Sequence, residues 1–241
     1  MRSSPSDLDP LDPGPRGFAH RGLHFRSAAP ENSLAAFERA IEFGAGIECD
    51  VRLSGDGSAV VFHDGDLTRM CGISLKVEQT PAALLQGQRL MRSNEYIPAL
   101  WRVLEVVGGR VPLLLELKTN RGNAARLCRE VLLDLLPRSG PIGIMSFDPK
   151  VGGWLRRNAP QVPRGLVIGK DTPRHRRWLA FMIAAPQFLA VDHECLSAPW
   201  VARIRRRMPV YAWTIRSPAE RAQAAVQADA LIWESDGGPR N

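Results

Sequence analysis

The chain has 241 residues but little cysteine and no long apolar run. No window approaches the roughly 20 apolar residues that a membrane-spanning helix needs. The first 16 residues are polar and rich in proline and aspartate, and they lack the apolar stretch of a secretory signal. The few cysteines include no CxxC pair, which indicates reduced thiols in a cytoplasmic protein. They are Cys49, Cys71, Cys128 and Cys195.

Composition favours one globular domain. Hydrophobic residues make up 44% of the chain and charged residues 24%, a balance that can fill a core. Single α/β barrels commonly have this length, so we expect residues 1–16 to be a flexible arm and residues 17–241 to form one barrel domain. A net charge of +7 favours anionic partners, with phosphate first. No recognisable nucleic-acid-binding motif accompanies this charge, so we expect no nucleic-acid partner.

One segment leaves a membrane contact open. The basic cluster Arg174–Arg177 precedes the apolar stretch Trp178–Ala190. A basic cluster beside apolar residues can hold a protein weakly on an anionic membrane surface. The preferred interpretation is a barrel helix followed by a strand, because Pro186 lies where a helix should end.

Short apolar runs alternate with amphipathic stretches along the chain. This alternation predicts an α/β fold with a mostly parallel sheet, and eight such units close into a (β/α)8 TIM barrel. One of nine candidate strands is surplus. The turn SGDGS between the second and third candidates is too short for a parallel crossover, so these two are predicted to form a hairpin, a small insertion after the second strand. The candidates are Gly17–His20, Ile47–Leu53, Val60–His63, Val111–Leu117, Ile142–Ser146, Gly165–Ile168, Phe188–Val191, Pro209–Trp213 and Ala230–Trp233.

Acidic residues lie near the carboxyl ends of the predicted strands, where a parallel barrel carries its active site. Glu48 and Asp50 are two residues apart and therefore share a face of one strand. Glu116 follows on the next barrel strand. Three carboxylates without matching cysteines indicate a site for a hard divalent cation, Mg²⁺ or Ca²⁺. The alternative is that the acids bind backbone groups or form ordinary ion pairs, such as Glu116 with Lys118.

Histidines and cationic residues accompany the acids. His20 and His63 come from different strands and suit a general acid and a general base, because imidazole titrates near neutrality. Arg21 and Lys118 would supply positive charge for a phosphodiester. The other three histidines, among them His24, do not join this pattern.

The residues now assembled resemble the glycerophosphodiester phosphodiesterase family of the PLC-like phosphodiesterase superfamily. The stretch from AHRG through PEN and ECD to FHDGDLTR is similar to the family signature in order and spacing. Downstream, YIPALWRVLEVV, LLLELKTN and AWTI resemble later family segments. The resemblance runs from about Gly17 to Trp233 and implies a TIM barrel with a small insertion after the second strand.

The resemblance also implies roles for individual residues. Glu48, Asp50 and Glu116 would hold the metal, and His20 and His63 would be the acid and base. Arg21 and Lys118 would contact the phosphate, and Trp213 would line the pocket. Glu31 and Asn32, from the PEN motif, would support the site, although Asn32 could instead cap the helix that begins near Ser33.

The implied reaction is hydrolysis of a small glycerophosphodiester, such as glycerophosphocholine or glycerophosphoethanolamine, to glycerol 3-phosphate and an alcohol. One alternative keeps the site and takes lysophospholipids at a membrane surface, which would make the chain a lysophospholipase D. Another alternative is a silent barrel that only binds phosphodiesters or a partner, but it predicts a missing ligand or histidine, and none is missing. One departure from the family lies near the last strand, where Glu234 stands in place of an expected aspartate.

Overall fold

The computed structural model describes residues 11–120, 122–136 and 140–239. Nine strands lie within these ranges, close to the nine predicted segments. They are β1 (Phe18–His20), β2 (Gly46–Leu53), β3 (Ala59–Val61), β4 (Leu113–Leu117), β5 (Ile142–Ser146), β6 (Arg164–Ile168), β7 (Phe188–Asp192), β8 (Val210–Ile215) and β9 (Ala230–Trp233).

Eight of these strands close into a parallel barrel. The ring runs β1, β2, β4, β5, β6, β7, β8 and β9, and β9 pairs in parallel with β1. β3 pairs antiparallel with the end of β2, with Val61 opposite Val51. The predicted TIM barrel and its rim hairpin are therefore confirmed. The insertion after β2 also carries two short helices and its own apolar cluster, built around Phe62 and Leu67.

Helices follow the strands and cover the outside of the barrel. α1 begins after Ser33, whose side chain accepts a hydrogen bond from the amide of Ala36, and it ends at the left-handed Gly44. The helices are α1 (Leu34–Phe43), α2 (Thr68–Cys71), α3 (Ala82–Gln86), α4 (Leu100–Val107), α5 (Ala124–Leu135), α6 (Pro149–Asn158), α7 (Arg174–Ala184), α8 (Pro199–Arg205) and α9 (Pro218–Ala225). No helix among the described residues is long and apolar enough to cross a bilayer.

Side-chain alternation places the acidic residues inside the barrel. In β2, Ile47, Cys49 and Val51 pack outward in the cluster between strands and helices. Glu48 and Asp50 alternate with them, so they face the interior. Interior apolar side chains such as Leu114 and Phe188 fill the barrel toward the amino ends of the strands. Polar groups occupy the interior at the carboxyl ends.

The prediction that residues 1–16 form a flexible arm does not hold for residues 11–16. Residues 1–10 lie outside the described residues, but residues 11–16 pack on the barrel. Leu11 is 1% exposed and belongs to the interior apolar cluster. The Arg16 guanidinium lies 4.6 Å from the centre of the Phe43 ring, and the Trp233 indole donates a hydrogen bond to the Arg16 carbonyl. The apolar side chain at Leu11 thus closes the amino-terminal end of the barrel.

Candidate active site

Three carboxylates meet at the carboxyl ends of β2 and β4. Glu48, Asp50 and Glu116 are all buried, and each offers an oxygen within 4.8 Å of the others. The strand register explains the meeting, because Asp50 lies directly opposite Glu116 across the β2–β4 pair. The sequence-predicted trio is therefore brought together in one cluster.

Two positively charged side chains lie against the carboxylates. The Lys118 ammonium contacts a Glu116 oxygen and lies 3.0 Å from Oδ1 of Asp50. Arg21 donates its backbone amide to Glu48 at 3.0 Å, and its Nε lies 3.2 Å from Oδ2 of Asp50. The suspected ion pair between Glu116 and Lys118 therefore exists, but it is one part of a larger cluster.

The electrostatics of the cluster fit a bound cation. Burial, and then the charges of Asp50 and Glu116, raise the pKa of Glu48 well above its ordinary value. Burial also raises the pKa of Glu116, against the opposing charge of Lys118. Burial acts the same way on Asp50, but Lys118 and Arg21 outweigh it and hold the pKa of Asp50 below its ordinary value. Oε1 of Glu48 is buried without a hydrogen-bond partner among the described residues, which leaves it available as a ligand.

His20 is held from one side by Glu234. Nδ1 of His20 lies 2.7 Å from Oε2 of Glu234, whereas Nε2 lies 3.9 Å from Oε2 of Glu48. Burial alone would raise the pKa of Glu234, but hydrogen bonds from His20, His24 and Arg216 hold it far below its ordinary value. An ionised carboxylate only accepts hydrogen bonds, so Nδ1 donates, and in the neutral ring the lone pair is on Nε2. Burial lowers the pKa of His20, although Glu234 opposes that change.

The imidazole of His63 is also held by a carboxylate at its Nδ1 atom. Its Nδ1 lies 2.7 Å from Oδ1 of Asp64, and Asp64 accepts from Nε of Arg69 at 2.7 Å. Arg69 in turn donates to Glu31, which also accepts from Arg21 at 2.8 Å. Burial lowers the pKa of His63, with further lowering by Arg21. Glu31 therefore connects Arg21 to His63 through Arg69 and Asp64.

Asn32 is not the helix cap that one interpretation allowed. Ser33 caps α1, whereas the Asn32 side-chain amide donates to Oδ2 of Asp50 at 2.9 Å. Its side-chain carbonyl accepts from the Asp50 amide at 3.2 Å. Asn32 has φ +58°, a left-handed conformation that asparagine tolerates better than most residues. Asn32 thus fixes the orientation of the Asp50 carboxylate.

Trp213, from β8, lies beside the interior cluster of the barrel. Its ring meets Phe147 edge to face, with centroids 5.4 Å apart. Phe147 follows β5 and is half-exposed, and the Lys118 ammonium lies 5.8 Å from the centre of its ring. Nε1 of Trp213 is buried and has no hydrogen-bond partner in the part of the chain that the structure describes. These contacts join Trp213 to the cationic side of the cluster.

Comparison with known proteins identifies the family. The model of the glycerophosphoryl diester phosphodiesterase family matches residues 20–235. The chain belongs to this family. A glycerophosphodiester phosphodiesterase of Caldanaerobacter subterraneus subsp. tengcongensis is 38% identical over 101 residues, which cover 38% of this chain and 40% of that protein. The chain spans about two fifths of the length of the first curated relatives it matches, with 40% and 43% covered.

Solved structures of family members share the fold. A phosphodiesterase of Oleispira antarctica, solved with the product sn-glycerol-3-phosphate, has a TM-score of 0.83 at 24% identity, with 96% of this chain and 95% of that chain covered. A glycerophosphodiester phosphodiesterase of Thermotoga maritima has a TM-score of 0.74 at 26% identity, with 90% and 92% covered. The chain therefore shares its barrel fold with these solved structures.

The structure adds residues to the candidate site that the sequence patterns do not place there. Glu234 departs from the family pattern, yet its Oε2 contacts His20. His24 joins no pattern in the sequence, but its Nε2 lies 3.8 Å from Oε2 of Glu234. Arg69 is the last residue of the FHDGDLTR segment, but the sequence assigns it no role. Arg52 belongs to none of the quoted motifs, and it donates to the His63 carbonyl at 2.7 Å. Only the closure of β9 onto β1 brings Glu234 to His20, so spacing along the chain could not reveal the pair.

Proposed function

We propose that this chain is a metal-dependent glycerophosphodiester phosphodiesterase. The substrates would be small glycerophosphodiesters such as glycerophosphocholine or glycerophosphoethanolamine, and the products glycerol 3-phosphate and an alcohol. One observation carries the proposal: three buried carboxylates form a cluster within electrostatic reach of two imidazoles, and each imidazole has its Nδ1 atom against a further carboxylate. The product complex of the Oleispira relative supports glycerol 3-phosphate as the shared product.

Glu48, Asp50 and Glu116 would hold the cation, Mg²⁺ or Ca²⁺, because a buried all-oxygen set without cysteine suits hard cations. When bound, such a cation would neutralise charge that develops on the phosphoryl oxygens. Asn32 would keep Asp50 in orientation for this role.

Arg21 and Lys118 are proposed to bind the phosphodiester. Both already lie at the mouth of the carboxylate cluster, so a phosphate there would find fixed positive charge beside it. Trp213, beside Lys118 and Phe147, would form the apolar wall for the glycerol or alcohol part of the substrate.

The two histidines would move the protons. One imidazole takes the proton of the attacking hydroxyl, from water or from the neighbouring glycerol hydroxyl, as the new P–O bond forms. The other, as imidazolium, gives a proton to the departing alkoxide as the old P–O bond breaks. Glu234 and Asp64 hold the Nδ1 atoms, so Nε2 of each ring remains for these transfers. If the glycerol hydroxyl attacks, the same pair serves again in hydrolysis of the cyclic ester.

The test is hydrolysis of glycerophosphocholine with Mg²⁺, with Ca²⁺ and in EDTA, for the wild type and for His20→Ala and Glu48→Ala. We expect EDTA and either substitution to abolish most of the activity. His193→Ala and Glu194→Gln are matched controls, because these residues belong to a separate, more exposed acidic group beyond β7. Full activity in EDTA, or in His20→Ala or Glu48→Ala, would contradict the mechanism.

Lysophospholipids are a second candidate substrate class, which would make the chain a lysophospholipase D. The observation that favours them is the exposed apolar face of α7, described below. Hydrolysis of lysophosphatidylcholine beside glycerophosphocholine distinguishes the two classes. A cytoplasmic location is also proposed, because all four cysteines are free thiols.

A further inference from the structure

The outer face of α7 exposes large apolar side chains. Trp178 is 67% exposed and Met182 is 61% exposed, and Leu179 and Ile183 are exposed beside them. We call these four residues the α7 surface. Exposed side chains of this size, adjacent on one helix, are unusual on a monomer and mark a surface that contacts something apolar.

Arginines border the α7 surface. Arg174 and Arg176 are exposed on the first turn of α7, and Arg203 of α8 lines the same groove as Trp178 and Met182. The Arg177 guanidinium stacks 4.5 Å from the centre of the Trp200 ring in that groove. The sequences of α7 and α8 contain no acidic residue. The two helices therefore combine exposed apolar side chains with arginines and carry no acidic residue of their own.

The start of α7 lies next to the rim that carries the candidate active site. Ile168, the last residue of β6, lines the groove, and α7 starts shortly after it. The loop between them passes the active-site wall, since a side chain built at Gly169 would meet the Phe147 ring at 3.8 Å. The first turn of α7, which carries Arg174 and Arg176, therefore lies on the same side of the barrel as the candidate active site.

The positive charge around the α7 surface favours an anionic membrane over a second copy of the chain. A second copy bound face to face would bring two arginine clusters together, because a two-fold interface repeats the same patch on both subunits. Lipid phosphates instead complement the arginines, while the acyl region accepts tryptophan and aliphatic side chains. We propose that the α7 surface docks onto an anionic membrane, with Trp178 inserted below the headgroups and Arg174 and Arg176 on lipid phosphates. This inference stands apart from the hydrolytic activity.

Co-sedimentation with lipid vesicles tests the proposal. The full chain should bind vesicles of phosphatidylcholine mixed with phosphatidylglycerol and bind phosphatidylcholine vesicles much more weakly. Each arginine near an anionic surface contributes about five-fold in affinity, so Arg174→Gln with Arg176→Gln should weaken binding by about 25-fold. Trp178→Ala should weaken it by about ten-fold through lost apolar burial. Added salt should lower the vesicle affinity of the wild type toward that of the double arginine variant.

Matched controls lie on α5, which α6 separates from α7. Arg129→Gln and Leu133→Ala remove an exposed arginine and an exposed apolar side chain there and should leave vesicle binding unchanged. Hydrolysis of soluble glycerophosphocholine by Trp178→Ala should match the wild type, so a failed docking test and a failed activity test are distinguishable. No binding by the wild type, equal loss in the α5 variants, or a dimer that Trp178→Ala dissociates in light scattering would overturn the proposal.

Discussion

Replacement of Glu234 by glutamine tests how His20 is positioned. Oε2 of Glu234 accepts from Nδ1 of His20, and Oε1 accepts from Nε of Arg216 at 2.6 Å. Arginine only donates hydrogen bonds, so the glutamine carbonyl should stay on Arg216 and its NH₂ group should face His20. Nδ1 must then accept, and the proton of the neutral ring moves to Nε2. The nitrogen that faces the carboxylate cluster thereby loses its lone pair.

The expected effect is large and confined to turnover. Proton transfer by a positioned side chain contributes about 10²–10⁴-fold to rate, so we expect kcat of Glu234→Gln to fall within that range. KM should change little, because among the described residues the Glu234 side chain contacts His20, His24 and Arg216 but none of the three carboxylates or Lys118. Glu234→Asp keeps a charged acceptor but is shorter by one methylene group, so its loss should be smaller.

The assay is steady-state hydrolysis of glycerophosphocholine with saturating cation. A second substitution provides the control, because Glu234→Gln with Arg216→Ala frees the amide to rotate its oxygen toward Nδ1. That double variant should recover part of the lost kcat, which a purely structural defect would not do. Arg216 is exposed, so Arg216→Ala alone should cost little. Wild-type kcat in Glu234→Gln, or a double variant no faster than the single one, would refute the reasoning.

Three further outcomes are expected. A divalent cation at 100 times its dissociation constant should stabilise the fold by about 2.7 kcal/mol and raise Tm by about 5–10 °C. Glu48→Gln should remove that shift and Glu194→Gln should not; an equal shift in both variants would place the cation elsewhere. Cation affinity, measured by titration calorimetry, should weaken as the pH falls through the raised pKa of Glu48, because protons and cations compete for one carboxylate; a pH-independent affinity would argue against Glu48 as a ligand. Leu11→Ala should cost about 2–3 kcal/mol in urea unfolding, whereas the exposed Leu133→Ala should cost almost nothing, and equal costs would mean that Leu11 is not part of the core.

The sequence by itself determined the barrel and predicted which residues gather at its carboxyl rim. Alternating strand and helix patterns are local, and the period of two within a strand places Glu48 and Asp50 on one face without knowledge of the partner strand. The short turn before β3 excluded a parallel crossover for the same local reason. Motif order and spacing then indicated His20, His63 and Glu116, because the carboxyl ends of parallel strands meet at one rim.

Only the tertiary structure decided which groups support those residues. Glu234 reaches His20 through closure of the barrel, across 214 positions of the chain, and Arg69 reaches Glu31 across 38. The packing of Leu11 inside the barrel likewise depends on a cavity that eight strands build together. Contacts of this kind have no local periodicity, so their physical cause is ring closure and side-chain packing, which a linear pattern does not contain.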